Sequence, residues 1–303
     1  MGPGLDRHQG VAGEPRARPP RLSHLLWRRP TLRAGALLIA PVGWLGVVYL
    51  GSLAVMLLTA FWTLDDFSGL TVKGFSLDNF ATIVEEPVYR TIVWRTVSIA
   101  ALVTITDILL AFPIALYMAW AARPRTKRLL VVAVLMPLWA SYLVKVYAWR
   151  TMFANEGILN WAVDPIGMHV PQSGYVRVWI VLAYLWLPYM VLPIYAGLER
   201  IPRSLLDASA DLGARPWATF RRVVLPLTMP AVAAGSIFTF SLSLGDYITP
   251  QLVSSTQFIG NVVYANVGIA NNLPLAAAFA TLPMLIMVAY LLLVRRAGAF
   301  EAL

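Results

Sequence analysis

The sequence has no cysteine and only three histidines. Without cysteine, a disulfide framework and a thiolate metal site are both excluded. His8 and His24 lie in an amino-terminal stretch rich in proline and arginine, and His169 lies in a loop between apolar stretches. Because no two of them have metal-ligand spacing on one helix, we predict no metal site.

The motifs of common catalytic sites are also missing. There is no G-x-x-x-x-G-K-[ST] phosphate loop, no G-x-S-x-G nucleophile elbow and no H-E-x-x-H zinc helix. No pair of carboxylates has an obvious acid/base spacing either. We therefore do not expect the chain to hydrolyse ATP by itself, and an embedded enzyme has no support in the sequence.

Charged residues are scarce, at 13% of 303 residues, whereas 59% are hydrophobic. The mean hydropathy of +0.68 is above that of ordinary water-soluble domains. Apolar stretches of about 20 residues, enough to cross roughly 30 Å of hydrocarbon, recur along the chain. Lipid offers no partner for unpaired backbone groups, so these stretches should be helices. The fold predicted is an all-α polytopic membrane protein with about six transmembrane helices, at residues 34–62, 92–120, 129–148, 178–198, 223–244 and 273–294.

The net charge of +9 is distributed around the apolar spans rather than on one soluble face, so we expect no nucleic-acid partner. Residues 1–33, 123–128, 199–222 and the carboxyl tail hold 18 of the 24 lysines and arginines. The positive-inside rule then predicts that both termini of this multi-pass membrane protein are cytoplasmic. We expect residues 1–33 to be a disordered cytoplasmic tail and residues 34–303 to be the transmembrane domain.

One predicted cytoplasmic loop, residues 199–222, has more structure than a connector requires. Ser204 followed by Asp207 is typical of a capping box in its acidic form, which predicts that a helix begins there. Gly213 is placed to adopt the left-handed conformation that ends a helix. An apolar side is formed at helical spacing by Leu205, Ala208, Ser209 and Leu212. So short a helix must pack that side on its own bundle or in a partner's groove, and the residues favour neither.

The same loop resembles the EAA motif of ABC importer permeases, written E-A-A, then Gly, then I-x-L-P. The matching residues are Asp207, Ala208, Ser209, Gly213, Val223, Leu225 and Pro226. Asp207 replaces Glu and Ser209 replaces the second Ala, changes that keep the charge sign and the small size. The resemblance implies that this helix docks on a cytoplasmic ATPase subunit, with Asp207, Ala208 and Gly213 in the contact.

The stretches 137–142, 187–189 and 243–247 are similar to the spermidine/putrescine branch of these permeases. The resemblance covers residues from about 77 to the end, and it implies a type I importer fold. It also implies a second homologous permease, two copies of an ATPase subunit that binds ATP and magnesium, an extracytoplasmic solute-binding protein and the lipid bilayer as partners, with no cofactor on this chain.

The implied solute is a small cation such as a polyamine, although similar permeases move other amines, opines or metal chelates. The rival class is a channel-like pore or an embedded enzyme, in which the loop helix packs only on its own bundle.

Polar and aromatic residues in the spans indicate where a solute passes. Asp107, near the middle of the second span, either lines the pore or pairs with a cation on a neighbouring helix. Asp246, after Gly245 at the outward end of the fifth span, is the first candidate for contact with a cationic solute. Aromatic faces for the cation are expected from Trp139, Tyr142, Trp186 and Tyr247. The same aromatics are also typical of membrane interfaces and cores. Charged residues nearer span ends are expected to reach water and to be structural: Arg95, Lys145 and Arg150.

Overall fold

The computed structural model describes residues 30–65, 67–167 and 170–296. The predicted tail up to residue 29, and with it His8 and His24, lies outside the described residues, as does His169. Contacts divide the chain into one unit that ends at Val55 and another that begins at Met56. The site residues all belong to the second unit.

Helices make up most of the described chain. In order they are α1 (Pro30–Trp44), α2 (Gly51–Thr59), α3 (Asp78–Glu85), α4 (Pro87–Leu116), α5 (Pro124–Trp139), α6 (Tyr142–Met152), α7 (Ile158–Val163), α8 (Gly174–Glu199), α9 (Arg203–Asp211), α10 (Pro216–Thr219), α11 (Leu225–Gly245), α12 (Ile248–Val253), α13 (Ile259–Gly268) and α14 (Leu273–Arg296). Turns of π-helix at Leu45–Leu50, Tyr117–Ala121 and Phe220–Val224 extend some of these helices. Two short strands, β1 (Thr63–Leu64) and β2 (Thr71–Val72), pair antiparallel.

Five helical stretches in the described ranges are long and apolar enough to cross a membrane. They are Leu38–Thr59, Pro87–Ala121, Gly174–Glu199, Pro216–Gly245 and Leu273–Arg296. Each overlaps one of the predicted spans, so the all-α polytopic fold is confirmed.

The predicted third span, residues 129–148, is wrong as a single helix. It consists of α5 and α6, which meet at an angle of 92°. Between them Ala140 and Ser141 have extended backbones, with ψ of 141° and 134°. Hydropathy registers only apolar length, so it does not detect this break, although Pro137 lies three residues before it.

The core of the second unit forms where α4, α8 and α11 pack on one another. Small residues bring the backbones close: a Cβ added at Gly197 of α8 would lie 2.5 Å from the Cβ of Ala231 on α11. Small residues at crossings are the usual means by which membrane helices associate. These three helices therefore form the packed centre to which the segments at both ends of the bundle are attached.

The two ends of the bundle are named here by the residues they carry. Lys127 at the start of α5 forms an ion pair with Glu199 at the end of α8, which places both residues at what we call the 199 end. The chain leaves α11 after Gly245 at the opposite end, which we call the 246 end.

The Lys127–Glu199 pair allows a first prediction. The two side chains are 29% and 40% exposed, and ion pairs of this kind contribute little. We expect Glu199→Gln to change the free energy of unfolding by less than about 1 kcal/mol. The melting temperature of the purified protein in detergent measures this, and a fall that corresponds to several times that energy would show the pair to be essential.

Candidate functional sites

The helix of the 199–222 loop is α9, and the predicted capping box at its start is wrong. The helix begins at Arg203, the capping position is Pro202, and no side-chain hydrogen bond caps it. Ser204 is the second helical residue. Pro202 has φ −64° and ψ 135°, an extended conformation natural to proline, and it leads the chain directly into the helix. Serine is favoured at a cap, but here the proline two residues earlier fixes the start.

The predicted end of the helix is confirmed. Gly213 has φ +77°, and a Cβ there would meet nothing within 4 Å, so the backbone conformation itself is what requires glycine. The Ala214 amide donates to the Ser209 carbonyl at 3.1 Å, and the Gly213 amide donates to the Ala210 carbonyl at 2.8 Å. These bonds satisfy the last helical carbonyls in the Schellman manner.

The sides of α9 differ in what covers them. Leu206 packs against a core cluster that includes Leu198 and Ile201. The Ser209 hydroxyl lies 2.9 Å from that of Thr219, which ties α9 to α10. Leu212, by contrast, is 88% exposed, and Leu205 is 43% exposed. The bundle therefore anchors one side of α9, and the described residues leave the side with Leu205, Ala208 and Leu212 uncovered.

The remaining motif residues lead from the loop into the bundle. Val223 lies in the π-helical turn before α11, and Leu225 and Pro226 are the first residues of α11. Leu225 packs on the same core cluster as Leu206. The π-helical turn runs directly into α11, so Pro226 lies inside one continuous helical stretch, Pro216–Gly245, where its missing amide removes a backbone hydrogen bond. A displacement of α9 therefore has a direct covalent and packing route into α11.

At the 246 end, the carboxylate of Asp246 is held by four hydrogen bonds from its own chain. Its Oδ1 accepts from the backbone amides of Ile248 at 2.9 Å and Thr249 at 3.1 Å. Its Oδ2 accepts from the hydroxyls of Tyr142 at 2.5 Å and Thr249 at 2.7 Å. The side chain is 9% exposed. Asp246 therefore shapes the turn between α11 and α12.

Tyr142 connects this turn to the break in the predicted third span. It is the first residue of α6, and its ring stacks on Trp186 of α8 with 6.0 Å between centroids. The Trp186 indole nitrogen is buried and has no hydrogen-bond partner among the described residues. Through Tyr142, the α5/α6 break and the α11/α12 turn are held against each other and against α8.

Tyr247 lines a cavity of about 370 Å³ between α11, α13 and α14. Its ring stacks on that of Tyr264, 5.1 Å away, and the rest of the lining is mainly apolar. Gly260 of α13 lies close to the turn, since a Cβ there would be 2.9 Å from the Tyr247 Cβ. The cavity thus offers aromatic faces one residue from the Asp246 carboxylate.

Two predicted pathway residues lie apart from these. Asp107 is fully buried in α4, and neither of its oxygens has a hydrogen-bond partner among the described residues. Trp139, the last residue of α5, is 86% exposed. The structure therefore brings together Tyr142, Trp186, Asp246 and Tyr247, but neither Asp107 nor Trp139 joins them.

Thr249 and Tyr264 belong to this end but were not predicted. Thr249 follows Asp246 by three residues, and a hydroxyl at that spacing is the one signal that could have suggested a local bond. Tyr264 has no signal in the sequence, because its stacking on Tyr247 depends on how α13 folds back. Within the described part of the chain, no three His, Asp or Glu side chains lie close enough together to hold a metal ion.

Comparison with known proteins is consistent with this architecture. A family model described as "Binding-protein-dependent transport system inner membrane component" matches residues 93–298. The inner membrane ABC transporter permease protein YdcU of Escherichia coli is 44% identical over 93% of this chain and 95% of that protein. The spermidine/putrescine transport system permease protein PotB of Escherichia coli is 30% identical over 86% of this chain and 96% of that protein.

The fold is also shared with a solved structure. The crystal structure of a bacterial ABC transporter that imports the acidic polysaccharide alginate contains a chain that superposes with a TM-score of 0.67. The match covers 91% of this chain and 99% of that chain at 18% identity, so it supports the fold alone. The family model, which matches residues 93–298, and these relatives show that this chain belongs to the inner membrane components of binding-protein-dependent transport systems, the permeases of ABC importers.

Proposed function

We propose that this permease forms half of the translocation pathway for a small cationic solute, and that the solute is a polyamine such as spermidine or putrescine. The observation that carries the proposal is the Asp246 carboxylate beside the cavity lined by Tyr247 and Tyr264. A polyamine needs carboxylates for its ammonium groups and aromatic faces for its cationic chain. The PotB relatives, named for spermidine and putrescine, support the same solute.

The proposed assembly contains a second homologous permease, two copies of a cytoplasmic ATPase subunit and an extracytoplasmic solute-binding protein. About six spans are few to enclose a pathway alone, which favours a pair of permeases. Dependence on a binding protein is in the description of the family. Both termini and the 199 end would be cytoplasmic, because residues 199–222 are rich in arginine.

In this proposal α9 is the coupling helix, and its uncovered side fits the ATPase subunit. Leu205, Ala208 and Leu212 would enter a groove on that subunit, with Asp207 at the edge of the contact. ATP and magnesium would bind on the ATPase and not on this chain. Closure of the ATPase pair on ATP would move α9, and the packing of Leu206 would pass the movement to the bundle.

The aromatic residues around the Asp246 turn would guide the cation at the other end. Tyr142 stacks on Trp186, and Tyr247 stacks on Tyr264. In this proposal both pairs would present aromatic faces to the cation. The Asp246 carboxylate supplies negative charge to this region, although a direct contact with the solute would require it to release a hydrogen bond. Asp107 and Trp139 remain predicted pathway residues, the first for a state in which α4, α8 and α11 move apart.

Uptake of a panel of labelled solutes tests the proposal. In a strain without its own importers, the transporter should take up spermidine or putrescine and should not take up an opine or a metal chelate. Tyr247→Leu should reduce polyamine uptake by about threefold to thirtyfold, the range of one cation–π contact. Tyr117→Leu, a substitution of a 50% exposed tyrosine that does not line this cavity, is the matched control. If the transporter takes up the opine alone, the polyamine assignment is wrong and the solute is the opine.

A further inference from the structure

A second cavity at the 246 end contains an arginine that the transport pathway does not use. The cavity has a volume of about 540 Å³ and lies between the start of α4, the start of α8 and the segment after α12. Arg95 is its one ionic side chain, and the polar groups around it come from Thr91, Tyr175, Thr256 and Gln257. The cavity is distinct from the one at Tyr247, with which it shares no lining residue.

The guanidinium of Arg95 is held in place but is largely unsatisfied. Its Nη1 donates to the Gln257 carbonyl at 3.1 Å. Its Cζ lies 5.0 Å from the centre of the Tyr175 ring, which fixes the plane of the group. Its Nε is buried and has no hydrogen-bond partner in the part of the chain that the structure describes. An arginine has five N–H donors, so most remain for a ligand.

A positioned guanidinium with free donors in a cavity of otherwise neutral groups fits a carboxylate, which it binds through two parallel hydrogen bonds. The same positive charge repels a cation, so a cationic solute is the wrong occupant. The cavity lies at the end of the bundle opposite α9. If α9 faces the cytoplasm, as proposed, then this cavity faces the compartment from which a binding protein delivers its solute.

We infer that the Arg95 cavity is a docking site that receives an acidic side chain of the solute-binding protein. This rests on the proposed orientation of the chain and on the dependence of the family on a binding protein. The carboxylate would pair with the two terminal nitrogens, Nη1 and Nη2, which keep three of their four hydrogens free, while Tyr175 and Gln257 keep the guanidinium in place. The contact would fix the orientation of the binding protein on the permease, since a bidentate pair is directional.

The test measures how tightly the transporter's own binding protein associates with the purified permease–ATPase complex in nanodiscs. Arg95→Glu should weaken this association by about tenfold or more, because it removes the pairing charge and adds repulsion. Arg95→Gln, which retains an amide donor, should weaken it by about fivefold and serves if the glutamate variant fails to assemble. Arg90→Glu is the matched control: it makes the same change in charge at an exposed position of α4 outside the cavity, and should alter the association by less than twofold.

An acidic-to-arginine substitution in the binding protein that restores association with Arg95→Glu would identify the partner carboxylate. The inference is overturned if Arg95→Glu and Arg95→Gln bind as tightly as the parent, or if Arg90→Glu weakens the association as much as Arg95→Glu does. The melting temperature of each variant complex is measured in parallel. The inference is also overturned if association is lost only in variants that melt at a lower temperature than the parent. Because the assay records association and not uptake, it gives the same answer whichever solute is carried.

Discussion

Replacing Leu212 with glutamate is expected to release the ATPase subunit from the purified transporter while the permease remains folded. Leu212 is 88% exposed, so the substitution disturbs little within the chain. In the assembly, the same side chain would enter an apolar groove, where an unpaired charge costs several kcal/mol. The expected loss of ATPase association is about a hundredfold. The measurement is the ratio of ATPase to tagged permease after affinity purification.

Leu70→Glu is the matched control for this prediction. Leu70 is 68% exposed in the short segment before β2, far from α9 in the sequence, and it should leave the ratio unchanged. Recovery of the ATPase at the parental ratio with Leu212→Glu would remove α9 from the contact. In that case α9 would pack only on its own bundle, and the ATPase would contact another segment of this permease.

Substitutions of Asp246 are expected to separate its structural role from its charge. Asp246→Ala removes the acceptor of four hydrogen bonds. Three donors are left unsatisfied, the amides of Ile248 and Thr249 and one hydroxyl, because the hydroxyls of Tyr142 and Thr249 lie 2.8 Å apart and one can donate to the other. Each unsatisfied buried donor costs about 1–3 kcal/mol, so this variant should be destabilised by about 3 kcal/mol or more. Asp246→Asn keeps one oxygen for the two amides. It should therefore assemble normally but transport a cationic solute about tenfold more slowly.

The readouts are the melting temperature of the purified complex and the initial rate of polyamine uptake. Tyr142→Phe provides the control, because it removes one hydrogen bond to Asp246 and keeps both the carboxylate and the stack on Trp186. It should reduce uptake less than Asp246→Asn. Parental uptake by a normally assembled Asp246→Asn transporter would reject a role for the charge, and would leave Asp246 as the residue that shapes the turn.

The spans were predictable because the cost of exposing backbone to lipid depends mainly on apolar length. The break at Ala140 and Ser141 was not predictable, because the nearby Pro137 does not by itself indicate a break: α8 and α11 also contain prolines and are continuous. It is stabilised by distant contacts, through Tyr142 to Asp246 and Trp186. Long-range hydrogen bonds of this kind leave no periodic signal in the chain.

The loop at the 199 end illustrates the same limit at short range. Gly213 was predictable because only a left-handed backbone explains glycine at that helix end. Ser204 was misjudged because a capping motif and an ordinary first turn have the same sequence here, and Pro202 decides between them. At the 246 end, the chemistry of Asp246 was recognised but its four internal hydrogen bonds were not, since Tyr142 lies about a hundred residues away.

Cross-linking from a single cysteine tests most directly whether α9 is the coupling helix that contacts a separate ATPase. The chain contains no cysteine, so Leu212→Cys would provide its only thiol. In membranes, a short bifunctional reagent should join Leu212→Cys to the ATPase subunit, and it should fail from Leu206→Cys, which packs on the bundle. If Leu212→Cys produces no adduct with a nucleotide-hydrolysing protein while the transporter remains active, α9 is not the coupling helix.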